Sequence, residues 1–284
     1  MVDGGGRAVD DVKAPKTCWA YGRAYQLGSG SIFHYNWRLV ILRPDSPLRK
    51  IPVALERKQA FFLEGIRVSL EIIEQAHSRL QDTLLALTNG LLREEQSQSV
   101  VLTSAISDAW LVIDSFHRLA DLAEHIPNVI RRSQIPFFHN LIRANNEVNE
   151  LRNVVQHLPG QIHKMAVSPN WSVWGVLSWA VPPDAEGRNV YSCSYFCGKF
   201  TEGQRPLINP LGRPIRRPVG LITLTQESVA VSISELFGYA ELFAAGLEQM
   251  IDQQFQANPL LTRTYASDVL ICLSIAPAPT ETDS

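Results

Sequence analysis

The chain has 284 residues, of which 45% are hydrophobic and 19% charged, a balance ordinary for a folded globular protein and unlike a disordered one. Its formal net charge is −2, so no global field draws nucleic acid or an anionic membrane, and any basic binding surface must be local. No apolar run approaches the roughly 20 residues of a membrane-spanning helix, and the opening stretch MVDGGGRAVDDVKAPK lacks the apolar segment of a secretory signal; the expected setting is the cytoplasm, with no membrane partner.

Residues 1–16 read as a tail and residues 17–55 as a mixed segment, with SIFHYNWRLVIL (31–42) strand-like. A helical bundle is expected over 56–162. Ile66, Leu70, Ile73, His77, Leu80, Leu84, Leu87 and Leu91 follow one another in steps of four and three, the apolar seam of a helix packed in a bundle. His77 takes a seam position and reads as a core histidine. A second seam is Leu102, Ala105, Ala109, Val112, Phe116, Leu119, Ala123 and Ile126, and a third is Leu141, Ala144, Val148, Leu151, Val155 and Leu158. The polar stretch REEQSQS (93–99) connects the first two helices and Ile126-Pro127-Asn128 ends the second. Pro136 suits the first turn of the third helix, and Leu158-Pro159-Gly160 stops it.

From 163 to 233 tryptophan, β-branched residues, proline and glycine rise together. WSVWGVLSWAV, VYSCSYFCGKF, VGLITLT and VAVSIS read as short strands, the last two joined by QES as a hairpin. Trp171, Trp174, Trp179, Tyr191, Tyr195 and Phe196 are expected to form the core of this small sheet rather than a platform for bases. Ser232-Ile233-Ser234-Glu235 is a capping-box pattern opening a last helix over 234–258, its apolar face made by Leu236, Tyr239, Phe243, Leu247 and Met250. Residues 259–284 remain as a C-terminal tail. The expected fold is mainly α: about four long helices in a bundle, with a small antiparallel β module inserted before the last, α+β overall.

The four cysteines, Cys18, Cys193, Cys197 and Cys272, match no common zinc spacing. Cys193 and Cys197 on one strand face would stand about 13 Å apart, too far for a mutual disulfide. Gly28-Ser29-Gly30 lacks the Lys-Ser/Thr of a phosphate loop. The carboxylates are scattered, so neither metal nor cofactor is expected.

One stretch carries a chemical suggestion. Within NELRNVVQHLPG (149–160), Arg152, Asn153 and His157 form Arg-Asn-x-x-x-His late on the third helix. The broader spacing recurs in Arg118/His125 and Arg132/His139, so the narrower form on a bundle helix is the informative one. It resembles the HEPN superfamily (higher eukaryote and prokaryote nucleotide-binding domains), small helical bundles whose active members are metal-independent ribonucleases working as dimers. The resemblance covers roughly 56–158 and the last helix, and rests on the Leu151–His157 motif alone. It implies catalytic roles for Arg152 and His157, a supporting role for Asn153, RNA as substrate and a homodimer as the assembly. The Leu158-Pro159-Gly160 after the motif and the long β insertion depart from the family's general pattern.

The residue types suit that chemistry. Histidine moves protons near neutral pH, and arginine meets two oxygens of a phosphate gaining charge. On a regular helix, however, Arg152 and His157 point about 140° apart. A shared phosphate therefore needs an unwound helix end or a second subunit, whereas an ion pair from Arg152 to Asp108 or Asp114 would occupy it within the chain. The strongest local basic patch is the proline-rich loop 203–220 with Arg205, Arg213, Arg216 and Arg217, the expected nucleic-acid contact if there is one; otherwise it is a solvated loop stiffened by proline. Three functional classes stay open: an RNA-cleaving homodimer, a non-catalytic bundle binding a protein or nucleotide through the β module, and a structural protein without ligand.

Overall fold

The structure, a computed structural model, describes residues 40–93, 99–127, 135–157, 159–160, 162–163, 172–182, 190–196, 209–210, 213, 215, 218–258 and 264–272. Four long helices carry the described fold: α1 (Arg57–Leu92), α2 (Ser99–His125), α3 (Phe138–Gln156) and α4 (Ile233–Ala257). The mainly α bundle with an inserted antiparallel sheet is therefore the observed architecture.

The helices form where the seams lie. Ile66, Leu70, Ile73, Leu80 and Leu84 are fully buried, as are Ala109, Val112, Phe116 and Leu119 of α2 and Leu141, Val148 and Leu151 of α3. The first seam fades at its end, where Leu91 is exposed, whereas the second stays buried to Ile126. His77 is buried and stacks on Phe237 of α4, with ring centroids 4.1 Å apart, so its ring serves as an aromatic core residue. Ser232 caps α4 by accepting from the Glu235 N–H at 3.3 Å, as the capping-box pattern predicts.

Two local expectations shift. Pro136 lies before α3, which starts at Phe138 after Phe137 adopts a left-handed backbone at φ 63°. Pro136 instead packs against Gly246 of α4, where an added Cβ would stand 2.8 Å from the proline Cδ. The strand-like stretch 31–42 lies outside the described residues as far as 39, and Val40–Leu42 is not a strand. Ile41 and Leu42 are buried in the bundle core, and the Ile41 N–H bonds the Glu74 carboxylate at 2.7 Å rather than a neighbouring strand. Arg43 then reaches Glu248 and Asp252 of α4, both at 2.9 Å.

The inserted module is a four-stranded antiparallel sheet of β1 (Val176–Val181), β2 (Tyr191–Phe196), β3 (Gly220–Gln226) and β4 (Val229–Ser232), in the order β2-β1-β3-β4. β3 and β4 form the expected hairpin, closed by a two-residue turn at Glu227-Ser228 with Glu227 at φ 56°. The β1–β3 register shifts between Ser178 and Ala180, where β3 contains one extra residue, and Leu221 there has φ 52°; this is a β-bulge. Trp179 is buried and its indole N–H donates to Thr88 Oγ1 of α1 at 2.9 Å. Gln81 Nε2 donates to the Val219 carbonyl at 3.0 Å. These bonds and the apolar face Leu177, Ile222, Leu224 and Val231 join the sheet to the core of the bundle. Trp174 is exposed, so it is not a core residue, and Trp171 and Cys197 lie outside the described residues.

Candidate functional site

The motif helix α3 buries Leu141, Ala144, Val148 and Leu151. Asn145 and Arg152, seven residues apart, flank that seam on the side facing α2. α2 answers with Asp114, His117 and Asp121, spaced by three and four and so on one face. The cross-helix pairs are specific. Arg152 Nε donates to Asp114 Oδ1 at 2.8 Å, with the two side chains 20% and 43% exposed. His117 Nδ1 lies 3.1 Å from Asn145 Oδ1, and its Nε2 lies 3.2 Å from Asp121 Oδ2. With an oxygen facing each ring nitrogen, a doubly protonated imidazole satisfies both contacts; a neutral ring does so only if the Asn145 amide turns to donate.

α3 stays regular through the motif. The His157 N–H bonds the Asn153 carbonyl at 3.2 Å, continuing the helical pattern, and His157 is the C-cap with φ −98° and ψ 21°. The chain turns only beyond it, where the Gly160 N–H bonds the His157 carbonyl at 3.0 Å. Asn153 and His157 are exposed, while Arg152 is half-buried towards α2. Within one chain the three motif residues therefore do not converge. Arg152 serves an interhelical ion pair, and Asn153 and His157 share a solvent-facing flank four residues apart.

Of the basic loop, Arg213 is described. Its guanidinium lies 4.0 Å from Glu235 in the first turn of α4, both side chains being well exposed. Arg205, Arg216 and Arg217 lie outside the described residues.

Sequence reasoning missed His117, Asp121 and Asn145 as a unit. The available signal was a polar stripe on α2 beside its apolar seam, opposite an asparagine beside the seam of α3. A further open groove of about 630 Å³ runs between α1 and α2, lined by Arg79, Asp82, Thr83, Val100, Thr103 and Asp108 among others. Its arginine is tied to its own wall: Arg79 meets Asp108 Oδ1 through Nη2 at 2.6 Å and Nε at 3.1 Å. Among the described residues no group of three or more His, Cys, Asp or Glu is placed to hold a metal ion, and no helix is long and apolar enough to cross a membrane. No protein-family model, no curated protein and no solved structure matches the chain.

Proposed function

We propose that the protein is a non-catalytic helical bundle that works by binding a partner protein, its likeness to HEPN proteins being one of architecture. The Arg152–Asp114 ion pair carries this reading. A phosphate-binding arginine needs its guanidinium free to meet charge as it develops; Arg152 already has an anionic partner inside its own chain. The contact surface we assign to the β module, at the turn before β1. Val173 and Trp174 are exposed there, yet the backbone beneath them is fixed. The Trp110 indole N–H holds the Trp174 carbonyl at 3.1 Å and the Gly175 N–H holds the Ser172 carbonyl at 3.1 Å. A rigid apolar projection of this kind loses little entropy on binding.

The second reading, a metal-independent endoribonuclease, is favoured by one observation: Asn153 and His157 lie exposed on one flank of α3, where a second copy has access. It requires the Arg152–Asp114 pair to open or the partner's arginine to serve. Incubation of the purified protein with labelled single-stranded and structured RNAs in excess EDTA separates the two, with the Arg152→Ala/His157→Ala double variant beside it. The proposal expects no 2′,3′-cyclic phosphate ends from either protein. Such ends from the wild type and none from the double variant would overturn it in favour of the ribonuclease.

A further inference from the structure

From Thr264 to Cys272 every residue of the segment after α4 is exposed, so it gives no side chain to the apolar core. Among the described residues, three polar contacts set its place. The Ala266 N–H bonds the Ile51 carbonyl at 2.8 Å and the Val53 N–H bonds the Thr264 carbonyl at 3.0 Å, with Pro52 and Tyr265 facing each other as an isolated antiparallel bridge. Arg67 of α1 donates through Nη2 to Asp268 Oδ1 at 2.9 Å. The other side of the bridge belongs to the bundle: Ile51 and Pro52 are buried, and Leu48 before them lies in the core.

The ion pair is unequal. The Asp268 side chain is 80% exposed, whereas that of Arg67 is 12% exposed and also donates to Glu71, one turn along α1, at 3.2 Å. When the segment leaves, Arg67 keeps Glu71 and is not stranded as an unpaired charge, while Asp268 regains its water. A pair with one well-hydrated end is weak and is screened by salt. The two backbone bonds have no ladder on either side of them, and no core side chain must move for them to break. Opening is therefore local, well below the cost of unfolding the bundle.

We propose that residues 264–268 are a releasable strap, latched by the Asp268–Arg67 pair, that opens while the four helices stay folded. Opening takes away Tyr265, one wall of a cavity of about 400 Å³ whose other walls include Asp45, Pro47 and Lys50 before α1 and Asp252 and Phe255 of α4. It also frees the Val53 N–H and the Ile51 carbonyl, which the strap satisfies when closed. The strap thus sets whether this cavity is complete, and ionic strength at Arg67 controls the strap. The inference uses none of the residues on which the proposed function rests.

Amide hydrogen exchange, followed residue by residue in the full chain, tests the strap. One opening frees the Val53 and Ala266 N–H groups together, so both should show the same weak protection, far below that of Leu70 and Phe116 in the helices. Raising sodium chloride from about 0.1 to 1 M shortens the screening length from about 10 to 3 Å. Exchange at Val53 and Ala266 should then rise about two- to fivefold relative to Leu70 and Phe116. Asp268→Asn should show the high-salt rates already at low salt and should no longer respond to salt. Because Asp268 is well exposed, that variant should melt where the wild type does. Protection at Val53 and Ala266 as strong as in the helices would overturn the proposal, as would unequal opening at the two amides. So would rates in the wild type that ignore salt, or a salt response that survives Asp268→Asn.

Discussion

Cys193 shows how one side chain records its surroundings. It sits on β2 with its Sγ 3.7 Å from Thr88 Oγ1. Burial pushes its thiol above the usual value of 9.0, and the Thr88 hydroxyl offsets part of that. The neutral thiol is favoured in the fold, so the folded chain holds its proton to higher pH than the unfolded one. The resulting stability is fully present below pH 9 and declines as pH rises from there to the folded value. Iodoacetamide at neutral pH should therefore modify exposed Cys272 well before Cys193, as mass mapping of the two peptides will show. Equal rates would mean that the Thr88 contact is open in solution. At this scale the sequence was legible where chemistry and period agree: His77 on an apolar seam reads as a core ring, and it is buried against Phe237. It was less legible for Arg152, because the acid an arginine meets depends on how far each helix is rotated about its axis.

Helix pairing depends on close approach at a few points. Gly246 lets α4 lie against the Pro136 ring, with no room for a Cβ. In an exposed helix interior, glycine to alanine stabilises by about 1 kcal/mol through propensity. Here the clash reverses the sign, and Gly246→Ala should cost about 1–3 kcal/mol in urea denaturation. Gly160, with nothing within 4 Å of its added Cβ, should tolerate the same change within about 0.5 kcal/mol. A stabilised Gly246→Ala variant would mean that α4 and the turn before α3 are not packed as described. All four helices and the β3–β4 hairpin were legible, because each has a strong local period. The pairing of residues 51–53 with 264–266 was not. It joins segments more than 200 positions apart, and neither has alternation enough to announce a strand.

At the largest scale, one apolar cluster of the described residues runs from Leu42 and Leu48 through all four helices to Trp179, Leu224 and Val231 of the sheet. The inserted module therefore has no core of its own to melt separately. Thermal unfolding followed by far-ultraviolet circular dichroism and by tryptophan fluorescence should give coincident transitions; an earlier fluorescence transition would mean that the sheet detaches first. The bundle was predictable as a whole because hydrophobic periodicity is a global signal. The function was less so, because Arg-Asn-x-x-x-His is equally consistent with catalysis and with a brace between helices, and only the fold decides which partner Arg152 finds. The most direct measurement is the stability coupling of Arg152 and Asp114 in a double-mutant cycle with Arg152→Ala, Asp114→Ala and the pair. For a partly exposed ion pair the expected coupling is about 0.5–1 kcal/mol, lost in high salt. Additive single effects, with no coupling, would mean that Arg152 is free in solution and would contradict its assignment as a brace.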